Sequence, residues 1–258
     1  MGEPPKDLRS VNGLRRIIAM LRGPDGCAWD RAQTRQSLRP YLLEEASEAL
    51  DALDEDDSAL LCEELGDLLF HVLLHVRIAE ERGDFLLSDV VGGIAEKLVR
   101  RHPHVFGQAT AETPDEVVEQ WDELKRAERG EKSALTGIPV ALPALSYAQV
   151  IQSRASKAGF AFESIEQAWE AFEEEVRELR EARDPAKARE EIGDALFALT
   201  NLARWYEADA EEALRSTCRG FTRLFHRLEE LARERGTDLN ELELDEKLAL
   251  WQDAKEIA

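Results

Sequence analysis

An acidic motif occurs twice in this chain, with a spacing that suits a metal ion. Each copy reads E-E-x-x-E and is followed further along by E-x-x-D, with a glycine directly before the aspartate. The first copy consists of Glu44, Glu45, Glu48, Glu64 and Asp67, and the second of Glu174, Glu175, Glu178, Glu191 and Asp194. An ordinary acidic surface has no reason to repeat this spacing. Carboxylate oxygens suit hard divalent cations, which polarise phosphoryl oxygens and activate water, so the motif predicts metal-dependent chemistry.

Helical periodicity places the first copy on two helices. On a 3.6-residue period, Glu44, Glu45 and Glu48 lie on one side of a helix, opposite leucines and alanines. Taken alone, that pattern also fits a surface helix with a solvated acidic face. The following helix is apolar around most of its circumference, so Glu64 and Asp67 are predicted to be largely buried. Because buried unpaired carboxylates are costly, the cluster predicts a compensating cation.

The ligand types indicate which metal to expect. Oxygen-only ligands, with no cysteine among them, suit magnesium, with manganese as a substitute, better than zinc or copper. A ferritin-like di-iron site would need Glu-x-x-His, but Leu68 and Val72 stand three residues before His71 and His75. The two histidines are spaced as a metal-binding pair would be, yet a buried or half-buried core position is the commoner role.

Pattern and propensity predict an all-α protein that positions these motifs. Alanine, leucine, glutamate and arginine dominate, and no run alternates as a strand does. The first helix is expected from about Leu8 to Arg22. Further helix breaks are predicted at Gly83-Asp84, Pro103, Gly159, Asp184-Pro185 and Gly236. Glycines and prolines favour a linker at 131–143 between tandem helical-bundle domains at 1–130 and 144–258.

Two aromatic motifs support duplication of one helical module. Trp29-Asp30 aligns with Phe162-Glu163, and Trp121 with Lys125 aligns with Trp251 and Lys255. The acidic motifs between them align in the same register. The economical interpretation is that both halves descend from one module.

Composition excludes several classes of partner. The formal net charge of −21 argues against binding a nucleic-acid backbone or an anionic membrane surface. The three cysteines are odd in number and lack C-x-x-C spacing, so neither a disulfide scaffold nor a structural zinc site is expected. Neither a signal peptide nor an apolar stretch long enough to span a membrane is visible. We therefore expect a soluble cytoplasmic protein.

At these motifs the chain resembles the MazG family of nucleoside triphosphate pyrophosphohydrolases, in its two-domain form and over essentially its whole length. The acidic motif is shared with the wider all-α NTP pyrophosphatase superfamily, including dimeric dUTPases. The run from Arg100 to Phe106, Arg-Arg-His-Pro-His-Val-Phe, is far more specific. Gly26-Cys-Ala-Trp29-Asp30 also matches. The resemblance implies magnesium-dependent cleavage of NTPs and dNTPs to the nucleoside monophosphate and pyrophosphate, on helical bundles that form homodimers.

The resemblance also implies roles for the acidic residues. The implied metal ligands of the first half are Glu45, Glu48, Glu64 and Asp67. Their counterparts in the second half are Glu175, Glu178, Glu191 and Asp194. Glu44 is implied either as a further ligand or as a partner that orients the attacking water.

The implied substrate contacts are basic and aromatic. Lys97, Arg101 and Lys125 would neutralise phosphate charge, with Arg100 as the alternative to Arg101. Trp29 or Trp121 would contact the base or sugar, and burial in the domain core is the other interpretation of each tryptophan.

The basic residues, unlike the acidic ones, are not repeated. Aligning Leu98 with Phe221 places Gly220, Arg223 and Leu224 opposite Lys97 and Arg100-Arg101. Loss of two cations that face a triphosphate should weaken its binding. We therefore expect the N-terminal domain to carry most of the turnover. The C-terminal domain would bind metal, dimerise, regulate or work slowly.

Two other functions are compatible with the sequence. A base-specific dUTPase or dCTPase would hydrolyse one dNTP far faster than the others, because a selective pocket rejects analogues that lack a paired polar group. A non-catalytic helical interaction or regulatory module would show neither stabilisation by magnesium nor NTP hydrolysis. The second alternative leaves the predicted burial of Glu64 and Asp67 unexplained.

Overall fold

The computed structural model describes residues 3–257, without the side chains of residues 129 and 257. Twelve α-helices run through this range, and it contains no β-strand, which confirms the all-α prediction. The helices form two compact units that divide between Glu128 and Arg129. Within the described range, no helix is both long enough and apolar enough to cross a membrane.

The first unit begins with a capped helix. Its helices are α1 (Val11–Leu21), α2 (Ala28–Ala32), α3 (Arg39–Asp54), α4 (Ser58–Arg82), α5 (Leu87–Arg101), α6 (Pro103–Phe106) and α7 (Pro114–Arg129). The helix predicted to start at about Leu8 starts at Val11 instead. The Ser10 hydroxyl accepts a hydrogen bond from the Gly13 amide at 3.0 Å and so caps the helix. The cap therefore sets where α1 begins.

A small apolar core holds the first unit together. It consists of Ile18, Leu38, Leu73, Leu74 and Ile78, and Leu14, Phe70 and Leu87 pack against it. These side chains belong to α1, α4, the start of α5 and the residue before α3. Full burial of one such side chain contributes roughly 1.5–3 kcal/mol. The core therefore fixes α4, the helix that carries the E-x-x-D part of the motif.

Helices α3 and α4 pack against each other as a hairpin, which brings the two parts of the first acidic motif together. In the short connection Asp56 has a left-handed φ of 54°. The Asp57 carboxylate then accepts hydrogen bonds from the Ala59 and Leu60 amides and caps α4. Gly83 ends α4 with a φ of 72°, a conformation that glycine adopts without strain.

The second unit contains a matching hairpin. Its helices are α8 (Ala144–Lys157), α9 (Ile165–Glu181), α10 (Pro185–Trp205), α11 (Ala210–Glu234) and α12 (Leu244–Ile257). Helices α9 and α10 pack together as α3 and α4 do. The predicted breaks at Gly159, Asp184-Pro185 and Gly236 all fall at or between helix ends.

The second unit has its own core, between α11 and α12. Its buried residues are Leu228, Leu231, Ala232, Leu250 and Ala254. Helix α10 is joined to α8 by the buried Gln152, whose side-chain amide donates a hydrogen bond to the Phe197 carbonyl at 2.7 Å. The carboxylates of α10 are thus carried by a helix that is fixed from more than one side.

Part of the apolar surface of the first unit is exposed. On α4 the exposed apolar residues are Leu65, Leu69 and Val72, and on α5 they are Val90, Val91, Ile94, Leu98 and Val99. Helix α5 has no fully buried residue. The apolar circumference of α4 is therefore only partly covered within this single chain.

Candidate active site

The first acidic motif gathers three carboxylates at the α3–α4 hairpin. Glu45 and Glu48 come from α3 and Glu64 from α4, and one carboxylate oxygen from each lies within 4.8 Å of the others. Glu64 is only 8% exposed, Glu45 is half-buried and Glu48 is exposed. Ligands of one Mg²⁺ ion lie about 2.1 Å from it. The three oxygens are therefore within small side-chain movements of a shared divalent cation.

Electrostatics at this cluster favour a cation. Burial raises the pKa of Glu64 above its ordinary value, and the charges of Glu48, Asp67 and Glu45 raise it further. Burial also raises the pKa of Glu45, followed by the charge of Asp67. Both pKa values are therefore raised first by burial and then by neighbouring negative charge. A divalent cation between the carboxylates would relieve that repulsion.

The structure places Asp67 differently from the prediction. Glu64 is buried as predicted, but Asp67 is exposed, so the prediction of its burial is wrong. Residues three positions apart lie on the same face of a helix, so the two carboxylates project from one side of α4, with Glu64 buried and Asp67 exposed to solvent. Leu65 and Leu69 are exposed as well, but on the opposite side of α4 from Asp67.

Asp67 and Glu44 both lie outside the closest trio of carboxylates. Asp67 remains within electrostatic reach, since its charge raises the pKa of Glu45 and of Glu64. Glu44 is exposed on α3. In this structure neither residue is therefore part of the closest group of carboxylates.

His71 contacts the cluster from inside the hairpin. Its Nε2 lies 3.5 Å from Oε1 of Glu45, and the residue is only 4% exposed. The Tyr41 ring stacks on His71 at a centroid distance of 6.4 Å, and Trp29 packs edge-on against Tyr41 at 5.8 Å. The core position expected for His71 is found, but its contact with Glu45 was missed. The available signal was its position two turns after Glu64, on the same face of α4.

The predicted basic residues form a second group, around α5 and α7. Arg100 Nε donates to Glu128 Oε1 at 2.8 Å, and Arg101 pairs with the other oxygen of the same carboxylate. Hydrogen bonds from Arg101 and then Arg100 lower the pKa of Glu128 to about 2. Both candidate phosphate ligands are therefore engaged by one carboxylate. No sequence spacing had marked Glu128.

Trp121 and Lys125 lie in this basic group, whereas Trp29 does not. The Lys125 ammonium sits over the Trp121 ring at 5.7 Å, and His102 packs edge-on against that ring at 5.0 Å. The indole nitrogen of Trp121 is buried and has no hydrogen-bond partner. Trp29 is 49% exposed beside Tyr41. Lys97 is exposed on α5.

The second acidic motif forms a comparable cluster with different members. Oxygens of Glu175, Glu191 and Asp194 lie within 4.8 Å of one another. Glu178 is exposed and lies outside this trio, although its first-half counterpart Glu48 is a member. Burial, followed by the charge of Asp194, raises the pKa of Glu175. Glu191 is only 1% exposed.

The tryptophan and lysine pair is also repeated in the second unit. The Lys255 ammonium sits over the Trp251 ring at 5.9 Å, much as Lys125 sits over Trp121. Trp251 packs against Phe221 at a centroid distance of 5.1 Å. The alignment of these residues made from the sequence therefore corresponds to the same local arrangement in both units.

Comparisons with known proteins agree with this geometry. Residues 33–106, which include the first acidic cluster, match the MazG nucleotide pyrophosphohydrolase domain. The chain is 44% identical over 241 residues to the nucleoside triphosphate pyrophosphohydrolase/pyrophosphatase MazG of Thermotoga maritima, covering 93% of each chain. It is 40% identical over 257 residues to the nucleoside triphosphate pyrophosphohydrolase of Escherichia coli K12, covering 96% of this chain and 98% of that relative.

A third relative is longer than this chain. The uncharacterized protein YabN of Bacillus subtilis is 48% identical over 249 residues, which are 94% of this chain but 51% of that protein. The two relatives from Thermotoga maritima and Escherichia coli match along nearly their whole lengths. The chain therefore belongs to the MazG family of nucleoside triphosphate pyrophosphohydrolases.

Proposed function

We infer that this chain hydrolyses nucleoside triphosphates to nucleoside monophosphate and pyrophosphate, and so removes unwanted nucleotides from the pool. The observation that carries the inference is the trio of Glu45, Glu48 and the buried Glu64 within 4.8 Å, on a hairpin of a MazG domain. The names of the full-length relatives support it. Membership of the family makes an enzyme the better conclusion than a non-catalytic module.

The first cluster fits a magnesium ion, for which manganese would substitute. All of its donors are carboxylate oxygens, and a cation would offset both the burial and the neighbouring negative charges that raise the pKa of Glu45 and Glu64. Glu45, Glu48 and Glu64 would hold the ion, with Asp67 completing the set after a side-chain movement. When bound, the ion supplies a Lewis acid for a phosphoryl oxygen and lowers the pKa of a bound water. Glu44 would orient the attacking water.

The basic group would bind the triphosphate. Arg101 and Arg100 offer planar guanidinium groups that suit phosphate oxygens, and Lys125 and Lys97 offer point charges. Trp121 stands beside Lys125 and would contact the base or sugar. Trp29 is the other candidate, since it is half exposed and packs against Tyr41, whose ring stacks on His71.

We assign most of the turnover to an N-terminal domain at 1–130, joined by residues 131–143 to a domain at 144–258. Gly220 and Leu224 replace two of the cations that the first domain offers to a triphosphate. In a partly desolvated site, phosphate charge that no cation compensates weakens binding of the triphosphate. The second domain would therefore bind metal, contribute to dimerisation, regulate the first or work slowly.

We also propose that a second copy of the chain covers the exposed apolar face. Leu65, Leu69 and Val72 of α4 and Ile94 and Leu98 of α5 contribute to this face. Contiguous apolar surface on a soluble protein commonly marks an interface.

A cytoplasmic location fits the free and exposed Cys27, Cys62 and Cys218. The net charge of −21 supports the absence of nucleic acid and membrane partners.

Product analysis tests the proposed reaction. The purified chain is incubated with each dNTP and NTP in the presence of Mg²⁺, and the products are separated by ion-exchange chromatography. We expect monophosphate and pyrophosphate in equal amounts, with no nucleoside diphosphate. Release of inorganic phosphate and a nucleoside diphosphate instead would contradict the proposal, and so would no reaction with any nucleotide. Hydrolysis confined to one base would identify a base-specific enzyme of the same class.

A further inference from the structure

A lysine side chain lies beside the second acidic cluster. The Lys187 ammonium forms an ion pair with Glu191, one turn later on α10, and lies 3.4 Å from Glu190 Oε2. Glu191 is 1% exposed, and its two oxygens are buried without a hydrogen bond of good geometry. A carboxylate this deeply buried needs a positive partner. Within the chain, the lysine provides one.

The first acidic cluster has a different residue at the corresponding place. Aligning Glu191 with Glu64 puts Lys187 opposite Leu60. Leu60 carries no charge and its amide is used in capping α4. The causes that shift the pKa of Glu64 are its burial and other carboxylates, all of which raise it. The two clusters share the 4.8 Å spacing, and besides their different members the second has Lys187 where the first has Leu60.

We propose that Lys187 takes the place of a metal ion at Glu191, and that it lowers the affinity of the cluster of Glu175, Glu191 and Asp194 for divalent cations. A metal ion must displace the ammonium from Glu191 or bind beside a like charge. Both cost binding free energy in a partly buried site. The second unit thereby keeps its buried carboxylate paired whether or not a metal ion is present. The comparison between clusters rests on the metal-binding role proposed for the first.

Reciprocal substitutions test this difference. Lys187→Leu gives the second cluster the residue found in the first, and Leu60→Lys gives the first cluster the residue found in the second. Lys132→Leu removes one exposed lysine elsewhere and is the matched control. Mn²⁺ binding to the full chain is followed by isothermal titration and by the electron paramagnetic resonance of free Mn²⁺.

We expect the wild type to bind Mn²⁺ in a tighter and a weaker class. Lys187→Leu should tighten the weaker class by about tenfold or more, and Leu60→Lys should weaken the tighter class, while Lys132→Leu changes neither. Adding Glu191→Gln to Lys187→Leu should abolish the gain, which assigns it to the second cluster. If Lys187→Leu gains no Mn²⁺ affinity over Lys132→Leu, the inference is overturned.

Thermal unfolding separates this role from a purely structural ion pair. Without metal, Lys187→Leu leaves Glu191 buried and unpaired, so we expect a lower Tm that Mn²⁺ restores. A structural pair alone would lower the Tm with no restoration by Mn²⁺, and that result overturns the inference. Failure of the first cluster to bind Mn²⁺ in the wild type would instead contradict the proposed function. In that case the change in Mn²⁺ affinity caused by Lys187→Leu would still test the inference about the second cluster.

Discussion

Arg100 on α5 donates a hydrogen bond from Nε to Oε1 of Glu128 on α7 at 2.8 Å. Arg101 pairs with the same carboxylate. The two arginines that are candidates for phosphate binding are therefore held by an internal anion. A triphosphate that uses them must compete with Glu128.

Glu128→Gln should relieve this competition. The variant keeps the size of the side chain but removes its charge, so we expect the KM for a dNTP to fall by roughly two- to tenfold, with little change in kcat. The upper bound follows from the modest strength of exposed ion pairs. Steady-state kinetics measure both constants, with the exposed Glu123→Gln on the same helix as control. A rise in KM would mean that Glu128 orients the arginines for substrate.

His71→Phe should impair the first cluster without emptying the core. Phenylalanine fills the buried space but loses the contact of Nε2 with Glu45 at 3.5 Å. Losing a residue that orients a metal ligand typically costs about 10- to 100-fold in metal affinity or activity. Mn²⁺ titration and kcat/KM at saturating metal measure the two effects separately. Unchanged values for both would show that the contact has no functional role.

Glu64→Gln should change how the stability of the metal-free protein depends on pH. The pKa of Glu64 in the folded state is raised above its ordinary value of 4.5, so the folded state holds this proton more tightly than the unfolded state. The stability that protonated Glu64 contributes is fully present below pH 4.5 and is lost as the pH rises through the raised pKa. In EDTA at pH 7 we therefore expect Glu64→Gln to have a higher Tm than the wild type.

The same reasoning predicts that the two Tm values converge near pH 4, where Glu64 is protonated in the wild type. Thermal unfolding followed by circular dichroism measures the difference at each pH. Glu44→Gln is the control, because Glu44 is exposed and lies outside the trio of carboxylates. A lower Tm for Glu64→Gln at pH 7 would show that the carboxylate is stabilised by partners inside the protein.

Ile94→Asp should disrupt the proposed dimer. Ile94 is 48% exposed on α5, so a charge there costs the isolated chain little but opposes burial against a second copy. We expect a dimeric wild type and a monomeric variant with an unchanged helical content. Light scattering coupled to size-exclusion chromatography measures the mass. A monomeric wild type would contradict the proposed homodimer, and a variant that stays dimeric would place its interface elsewhere.

Periodicity and breakers were sufficient to predict the all-α fold and the pairing of the acidic motifs. Both depend on local spacing, which repeats at Glu64 and at Glu191. The exposure of Asp67 was not predictable in this way, because an apolar helix pattern does not say which of its faces another helix covers. The ion pair between Arg100 and Glu128 joins residues on separate helices, so no short sequence motif predicts it. Lys187 stands four residues before Glu191 in the sequence, but the structure is needed to show that it pairs with a carboxylate that is almost fully buried.

The most direct test compares the two buried glutamates. Pyrophosphate release from a dNTP with Mg²⁺ is measured for the wild type, Glu64→Gln and Glu191→Gln under the same conditions. Since Glu64 is a proposed ligand of the catalytic metal ion, Glu64→Gln should lower kcat/KM on the order of 100-fold or more, while Glu191→Gln should keep most of the activity. Loss of activity in Glu191→Gln with activity retained in Glu64→Gln would contradict the assignment of catalysis to the first unit.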